Sequence, residues 1–325
     1  MRTFLIKCFM LTLIVSCILF FLNALYIRTE TWKYQNNVEK FAHVPQGIQI
    51  ANFGSSHGRD DFEWSDSPYQ AFNFGLSSQR HLYDYALLQQ YINHFDKNAV
   101  VILLIEYFEI ESIKVDYSDQ IPRYYRILNK EYMPEYSLRD YIRYAVFPVL
   151  SAGTNIRSII LDSNPEDVFQ KNWHNTMPEE ELVKYCSKHH IDWTTDSPDG
   201  TTLQKGLEGF VYNKKILSDI IDYCLACGLQ PVLVSTPITG IFNNIFEERT
   251  PNFFETFYRF SREISGKYPH VPYLDYSHDK RFENNISLFY DGDHLNIYGA
   301  KKFTSIVIKD IQSLGFLPVR LTQTR

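Results

Sequence analysis

Short apolar runs alternate along the chain with longer segments whose hydrophobic residues recur at helical spacing. Runs of strand length occupy residues 47–53, 71–74, 99–107, 230–235 and 271–276, and helical patterns occupy residues 79–95, 211–227 and 296–316. The third run, AVVILLIEYF, is continuously apolar, which is typical of a strand covered on both faces. Strands that alternate with helices predict a three-layer α/β/α fold with a mainly parallel, flavodoxin-like sheet.

The N-terminus carries a much longer apolar segment. Residues 8–27 contain no charged side chain, and twenty helical residues span about 30 Å, roughly one bilayer core. Arg2 and Lys7 precede this run, which favours an uncleaved signal anchor with the remainder of the chain outside the cytoplasm. A cleaved signal peptide is the main alternative, although the run exceeds the usual hydrophobic region of about 7–15 residues and no A-x-A-like site follows it. A buried helix of a soluble protein is the third interpretation.

The middle of the chain fits the alternation of strands and helices badly. Residues 112–205 are rich in tyrosine and carry scattered helical patterns, so we interpret them as a partly helical insertion next to the site. We therefore expect a signal anchor over 1–28, a connector over 29–46, and one α/β domain over 47–320 that contains this insertion. The pair His189-His190 lies beside lysines and indicates a solvated helix end rather than a metal site.

Composition and charge exclude several classes of function. The 325 residues are 45% hydrophobic, with 24 Phe and 23 Tyr, which is enough for a large core. The net charge of −6 and the lack of a Lys/Arg-rich run argue against nucleic acid as a partner. The C-x-x-C at Cys224 and Cys227 falls on the apolar face of a predicted helix, with no second Cys/His pair nearby, so we expect both to pack in the core. We predict neither a metal nor an organic cofactor.

Two polar segments combine into candidate hydrolytic chemistry. The first strand runs into FGSSHGRDDF, which displays Ser55, Ser56 and His57 on the following turn, and Asp291 and His294 lie in YDGDHLN before the last helix. A nucleophilic serine needs an imidazole base on its hydroxyl and a carboxylate on the other ring nitrogen. Both segments follow strands of a parallel sheet, so we expect them on one edge. Asp293, adjacent to the histidine, suits the carboxylate role less well because neighbouring side chains diverge.

Three blocks of sequence together resemble the SGNH (GDSL-like) hydrolase superfamily. They are GSSH at 54–57, NFG at 73–75 and the D-x-x-H pair at 291–294. The resemblance implies that Ser56 is the nucleophile, that His294 is the base and that Asp291 orients it. It further implies an oxyanion hole built from the backbone N–H groups of Ser56 and Gly75.

The chain departs from the pattern of that family in two places. Ser55 stands where the family has Asp, and the segment IEYFEIE after the third strand lacks the Asn of the third block. Loss of one oxyanion donor typically lowers the rate by about 10²–10³. Asn73 or Tyr107 could substitute for the missing donor, although Asn73 equally suits a backbone-capping role in its turn. We assign His57 to the wall of the site rather than to the base.

An N-terminal anchor joined to such a domain resembles proteins that modify polymers of the bacterial envelope. That likeness implies a serine acyltransferase or esterase at the cytoplasmic membrane, with its catalytic domain outside, acting on O-acyl groups of a polysaccharide. The expected partners are the envelope glycan, the membrane around residues 8–27, and a separate multi-span membrane protein that donates the acyl group. The alternative is an inactive scaffold of the same fold that binds glycan or partner proteins.

Overall fold

The computed structural model describes residues 1–29, 32, 37–108, 121–151, 173–194 and 201–320, with the side chains of 189–194 and 201–207 excepted. These residues belong to two compact units, one of residues 1–43 and 118–168 and the other of residues 44–117 and 169–325. The side chains of His189 and His190 lie outside the described part, as do residues 112–120, 152–172 and 195–200 of the expected insertion. The anchor, connector and domain boundaries therefore stay predictions.

The first unit contains the apolar N-terminal helix. Its helices are α1 (Arg2–Tyr26), α4 (Ile121–Ile127) and α5 (Leu138–Tyr141). Helix α1 reaches a mean hydropathy of 2.6 over 18 residues, none of them buried within the protein, and its 25 residues are long enough to cross a bilayer. Near its end, the Asn23 amide donates to the carbonyl of Val146 and accepts from the N–H of Val149. The chain thus has one helix, among the described residues, that suits a membrane span.

The second unit is a five-stranded, wholly parallel sheet flanked by helices. Its strands are β1 (Ile48–Asn52), β2 (Ala71–Asn73), β3 (Phe95–Leu104), β4 (Gln230–Ser235) and β5 (Tyr273–Asp275). Its helices are α2 (Ser56–Asp60), α3 (His81–Tyr91), α6 (Glu179–Thr194), α7 (Thr201–Ala226), α8 (Gly240–Arg249), α9 (Glu255–Lys267), α10 (Lys280–Glu283) and α11 (Ile297–Ser313). The strand order β2-β1-β3-β4-β5 matches the predicted flavodoxin-like arrangement and confirms the fold class.

Apolar side chains of the sheet form the core of this unit. Val100, Ile102 and Leu104 of β3 are completely buried, as expected for a central strand with helices on both faces. One cluster joins them to buried residues of α11, including Phe303 and Val307. Because the last helix of the chain packs on the central strands, the loop before it is brought to the edge of the sheet.

Several details differ from the sequence prediction. Strand β3 ends at Leu104, which leaves Glu106 and Tyr107 beyond the ladder, whereas the prediction extended it to residue 107. Helices α8 and α9 were not predicted, although Thr239 caps the first by accepting from Phe242 N. Cys224 is buried as expected, but the placement of Cys227 in the core is wrong, because that residue follows the last turn of α7 and is exposed.

Candidate active site

The first site segment follows β1 through a turn that requires glycine. Gly54 has φ +125°, and a Cβ there would lie 2.7 Å from Leu104 Cδ1, so a side chain is excluded. Helix α2 begins directly afterwards at Ser56. A Cβ on Gly58 would lie 2.8 Å from the carbonyl oxygen of Phe53. The helix is therefore held close against the end of the strand, with Ser56 in its first turn.

The second site segment is the loop that leads into α11. Asn296 caps this helix, since its side-chain oxygen accepts from the N–H groups of Tyr298 and Gly299. The N–H of Leu295 donates to Asp61 Oδ1 at 2.8 Å, which ties the loop to the end of the first segment. Residues more than 230 positions apart are thereby fixed beside each other.

Ser56, His294 and Asp291 form a connected hydrogen-bond chain. Ser56 Oγ lies 2.9 Å from His294 Nε2, and His294 Nδ1 lies 3.0 and 3.1 Å from the two carboxylate oxygens of Asp291. Asp291 Oδ1 also accepts the backbone N–H groups of Asp293 and His294, at 3.1 and 2.9 Å. With Nδ1–H donating to Asp291, Nε2 is left to accept the serine proton. The three residues have the geometry that nucleophilic catalysis requires.

Asp293 lies on the same imidazole but makes a different contact. Its Oδ1 is 3.4 Å from His294 Nδ1, within ion-pair range and without a hydrogen bond to that nitrogen. Its Oδ2 accepts the Tyr107 hydroxyl at 2.7 Å. Both acidic residues of the loop thus face His294, and Asp291 is the one that hydrogen-bonds it.

A second buried cluster adjoins this chain. Glu106, just beyond β3, accepts from Ser55 Oγ at 2.5 Å and from Ser55 N at 3.3 Å. His57 Nδ1 lies 3.1 Å from Glu106 Oε1, and its Nε2 lies 3.5 Å from Asp293 Oδ2. The His57 ring stacks on His294, with ring centroids 4.6 Å apart. His57 therefore lines the wall of the site, as expected, but with two carboxylate neighbours that the sequence did not reveal.

Burial and charge together shift the pKa values of this network. Burial favours the neutral imidazole of His57, but contacts with Asp293 and Glu106 outweigh it and raise the pKa of His57 to about 10. Burial likewise opposes the charge on His294, and the carboxylates of Asp291 and Asp293 overcome it, which raises the pKa of His294 well above its ordinary value. For Asp293, burial is again outweighed, here by the two histidines, so its pKa falls well below its ordinary value.

Two of the groups expected to bind the oxyanion, the Gly75 N–H and the Asn73 amide, make hydrogen bonds within the protein instead. The N–H of Gly75 donates to Asn73 Oδ1 at 2.9 Å, and Asn73 Nδ2 donates to the carbonyls of Arg59 and Phe62. The Asn73 amide thus supports the backbone, in the capping role. The N–H of Ser56 lies in the first turn of α2, where no intrahelical acceptor exists. The oxyanion role of the Ser56 N–H stays a prediction, and these bonds do not support the roles predicted for Gly75 and Asn73.

Two tyrosines that the sequence analysis did not single out contact the site. The Tyr290 ring stacks on His294 at a centroid distance of 5.3 Å, and its hydroxyl donates to Asp60 Oδ2. The Tyr185 hydroxyl lies 3.4 Å from Asp291 Oδ2. Tyr290 directly precedes Asp291 in sequence, which is the one available signal, whereas Tyr185 comes from α6 and can be found only in three dimensions.

His57, Asp293 and His294 are also close enough to surround a small cation, since their ligand atoms lie within 4.8 Å of one another. To bind a metal, His294 would have to use one of its two ring nitrogens. The lone pair of Nε2 is directed to the Ser56 hydroxyl, and Nδ1 carries the proton shared with Asp291. Both ring nitrogens of His294 are thus engaged within the protein, by Ser56 and by Asp291.

Comparison with known proteins adds a distant structural likeness. No family model matches the chain. No curated protein matches it either. A crystal structure of a candidate acylhydrolase from Bacteroides fragilis is similar at 10% sequence identity and a TM-score of 0.40, over 86% of this chain and 96% of that one. A likeness this remote carries no functional conclusion, so function must be argued from the geometry of the site.

Proposed function

We propose that this protein is a membrane-anchored serine acyltransferase or esterase that acts on O-acyl groups, in the first instance O-acetyl groups, of an extracytoplasmic bacterial polysaccharide. The observation that carries the proposal is the 2.9 Å contact between Ser56 Oγ and His294 Nε2, with Asp291 on the opposite ring nitrogen. The side chain of His294 is 14% exposed, so a substrate can approach the pair from one side. A serine that only makes structural hydrogen bonds does not need an imidazole oriented in this way.

The proposed reaction proceeds in two balanced steps. In the first, Ser56 Oγ attacks the acyl carbonyl while His294 Nε2 takes its proton, and the ester bond breaks as His294 returns that proton to the departing oxygen. In the second, a hydroxyl of water or of a sugar attacks the carbonyl of the acyl-serine and gives its proton to His294. The bond between the acyl carbon and Ser56 Oγ then breaks, His294 returns the proton to that oxygen, and the acid or the new sugar ester leaves. Asp291 holds the imidazole in the productive tautomer and stabilises it when it is charged.

The oxyanion environment predicts a slow enzyme. With the Gly75 N–H and the Asn73 amide engaged within the protein, the N–H of Ser56 is the donor of the predicted set that this geometry leaves for the oxyanion. Each missing donor lowers kcat by about 10²–10³. A low turnover is compatible with the proposed role, because the acyl donor and the acceptor are held together at a membrane surface.

The layout of the chain supports an envelope substrate. Helix α1 is long and apolar enough to hold the protein on a membrane, and Arg2 and Lys7 near its start favour an external position for the remainder of the chain. A polysaccharide acceptor needs no charged binding surface, in keeping with a chain of net charge −6. We include a multi-span membrane protein as the source of the acyl group, as the resemblance implies.

A fluorophosphonate probe tests this proposal on the detergent-solubilised full chain. We expect covalent labelling of the peptide that contains Ser56, and loss of labelling in Ser56→Ala and His294→Ala. Ser55→Ala is the matched control, because the neighbouring serine contacts Glu106 rather than His294 and its variant still offers Ser56 to the probe. A folded wild-type chain that resists the probe would contradict the proposal. It would instead favour the inactive scaffold, for which retention on immobilised glycan is the expected result.

A further inference from the structure

His57 is a buried imidazole that the two acyl-transfer steps leave without a role. Its side chain is 2% exposed, and each of its ring nitrogens faces a carboxylate oxygen, Glu106 Oε1 at 3.1 Å and Asp293 Oδ2 at 3.5 Å. A neutral imidazole always has one nitrogen with a lone pair, which a carboxylate oxygen repels. The imidazolium, which carries a proton on both nitrogens, is the form that suits this position, with a hydrogen bond between Nδ1 and Glu106 and an ion pair without a hydrogen bond between Nε2 and Asp293. His57 is therefore a buried cation between two anions.

This cation lies directly against the proposed base. The rings of His57 and His294 stack with an interplanar angle of 28° and centroids 4.6 Å apart. Asp293 contacts both rings, since its Oδ1 lies 3.4 Å from His294 Nδ1 and its Oδ2 faces His57. Asp293 favours a proton on His294, and the positive charge of His57 opposes it. The two effects act over similar distances and have opposite signs.

The remaining ionisable groups around the pair are few among the described residues. Asp61 faces both imidazoles electrostatically, and its burial raises the pKa of its carboxyl to about 7. Burial raises the pKa of Tyr107 well above its ordinary value, so its phenol stays neutral when it donates to Asp293. Asp291 is the other anion on His294. Among these groups, His57 is the cation that can offset the carboxylates of the loop.

We propose that His57 is a positioning residue that neutralises Asp293 and thereby keeps His294 able to lose and regain a proton during acyl transfer. This role rests on the proposed function. Without the positive charge of His57, Asp291 and Asp293 together would hold the proton on His294 more tightly, and Ser56 would have a base only at higher pH. Asp293 in turn fixes the loop through Tyr107, so the protein retains a second carboxylate there without inactivating the imidazole.

The pH dependence of probe labelling at Ser56 tests the inference on the full chain in detergent. Labelling needs a neutral His294, so its rate rises with pH through the titration of that residue. In His57→Gln we expect the acid side of the pH–rate profile to move up by about two to three pH units, from the interaction of two charges 4.6 Å apart at an effective dielectric constant of about 20. Asp293→Asn should move it down. The double variant should return to within about half a pH unit of wild type, because both charges are removed.

The outcomes separate this inference from the proposed function. A wild-type chain that is never labelled contradicts the function itself. If the chain is labelled but the acid side of its pH–rate profile does not move in His57→Gln, the role of His57 alone is overturned. The same holds if His57→Gln lowers the rate equally at every pH and Asp293→Asn does not compensate, since that is the signature of a purely structural residue. If His57→Gln lacks a cooperative thermal transition, Asp293→Asn carries the test, and an acid side that stays or moves up overturns the proposal.

Discussion

Replacement of Asp291 by Asn tests which of the two loop carboxylates supports the base. In the structure, Asp291 Oδ1 accepts three N–H groups, among them His294 Nδ1–H at 3.0 Å. At an effective dielectric constant of about 20, a unit charge pair 3.0 Å apart is worth about 5 kcal/mol, equivalent to about 10⁴ in rate. Asp293, at 3.4 Å, retains part of that stabilisation in the variant. We therefore expect Asp291→Asn to lower the rate by about 10²–10³ rather than by the full amount.

The assay is hydrolysis of p-nitrophenyl acetate by the full chain in detergent, measured on the alkaline plateau so that shifts in pKa do not enter the comparison. Asp293→Asn is the matched control, with an expected loss within about tenfold, because Asp293 makes no hydrogen bond to His294. The Asn amide can also turn its NH₂ toward Nδ1 and favour the wrong tautomer, which adds to the loss in Asp291→Asn. A plateau rate within about fivefold of wild type for Asp291→Asn, or a larger loss for Asp293→Asn, would refute this assignment.

Three further predictions concern pH, packing and capping. The carboxylates of Asp291 and Asp293 outweigh burial and raise the pKa of His294 well above its ordinary value, so esterase activity, which needs the neutral imidazole, should increase with pH through the titration of His294; a pH profile that falls as pH rises from neutral would contradict this. Gly75→Ala places a Cβ 2.5 Å from Arg59 N, in the helix that carries Ser56. We therefore expect a loss of about 1–3 kcal/mol of stability, seen as a lower Tm, together with lost labelling of Ser56, and an unchanged Tm would refute this prediction. Asn296→Ala removes the cap of α11 and should lower the free energy of unfolding by about 1 kcal/mol in urea titrations, against Ser313→Ala as an exposed control.

The fold class could be predicted because each strand and its helix have their own hydrophobic period. The buried β3 is visible as a continuous apolar run, and α11 as an amphipathic pattern opened by an Asn cap. Helix α9 carries a clear buried stripe, with Phe257, Phe260 and Ile264 at helical spacing, so its signal was present in the sequence and was overlooked. Helix α8 has a weaker pattern, in which the buried Phe242 and Phe246 stand among polar residues. Local patterns thus specify the layers, while the details of their connections depend on packing.

The candidate site was only partly accessible from sequence. The pairing of Ser56 with His294 followed from the rule that parallel strands end at a common edge, and the structure brings the two together. The environment of His57 did not follow, because its partners come from the ends of two other elements, Glu106 after β3 and Asp293 before α11. Nor could sequence show that the Asn73 amide binds backbone carbonyls, since the same residue type suits either role.

The contact between Leu295 and Asp61 has a consequence for the timing of activity. It joins positions 234 residues apart, and the serine and its base are separated by 238. Contacts between residues so far apart in sequence form late in folding, so the Ser56 hydroxyl stays without its base until the segment around His294 and α11 has packed on the sheet. A truncation that removes α11 should therefore abolish labelling of Ser56.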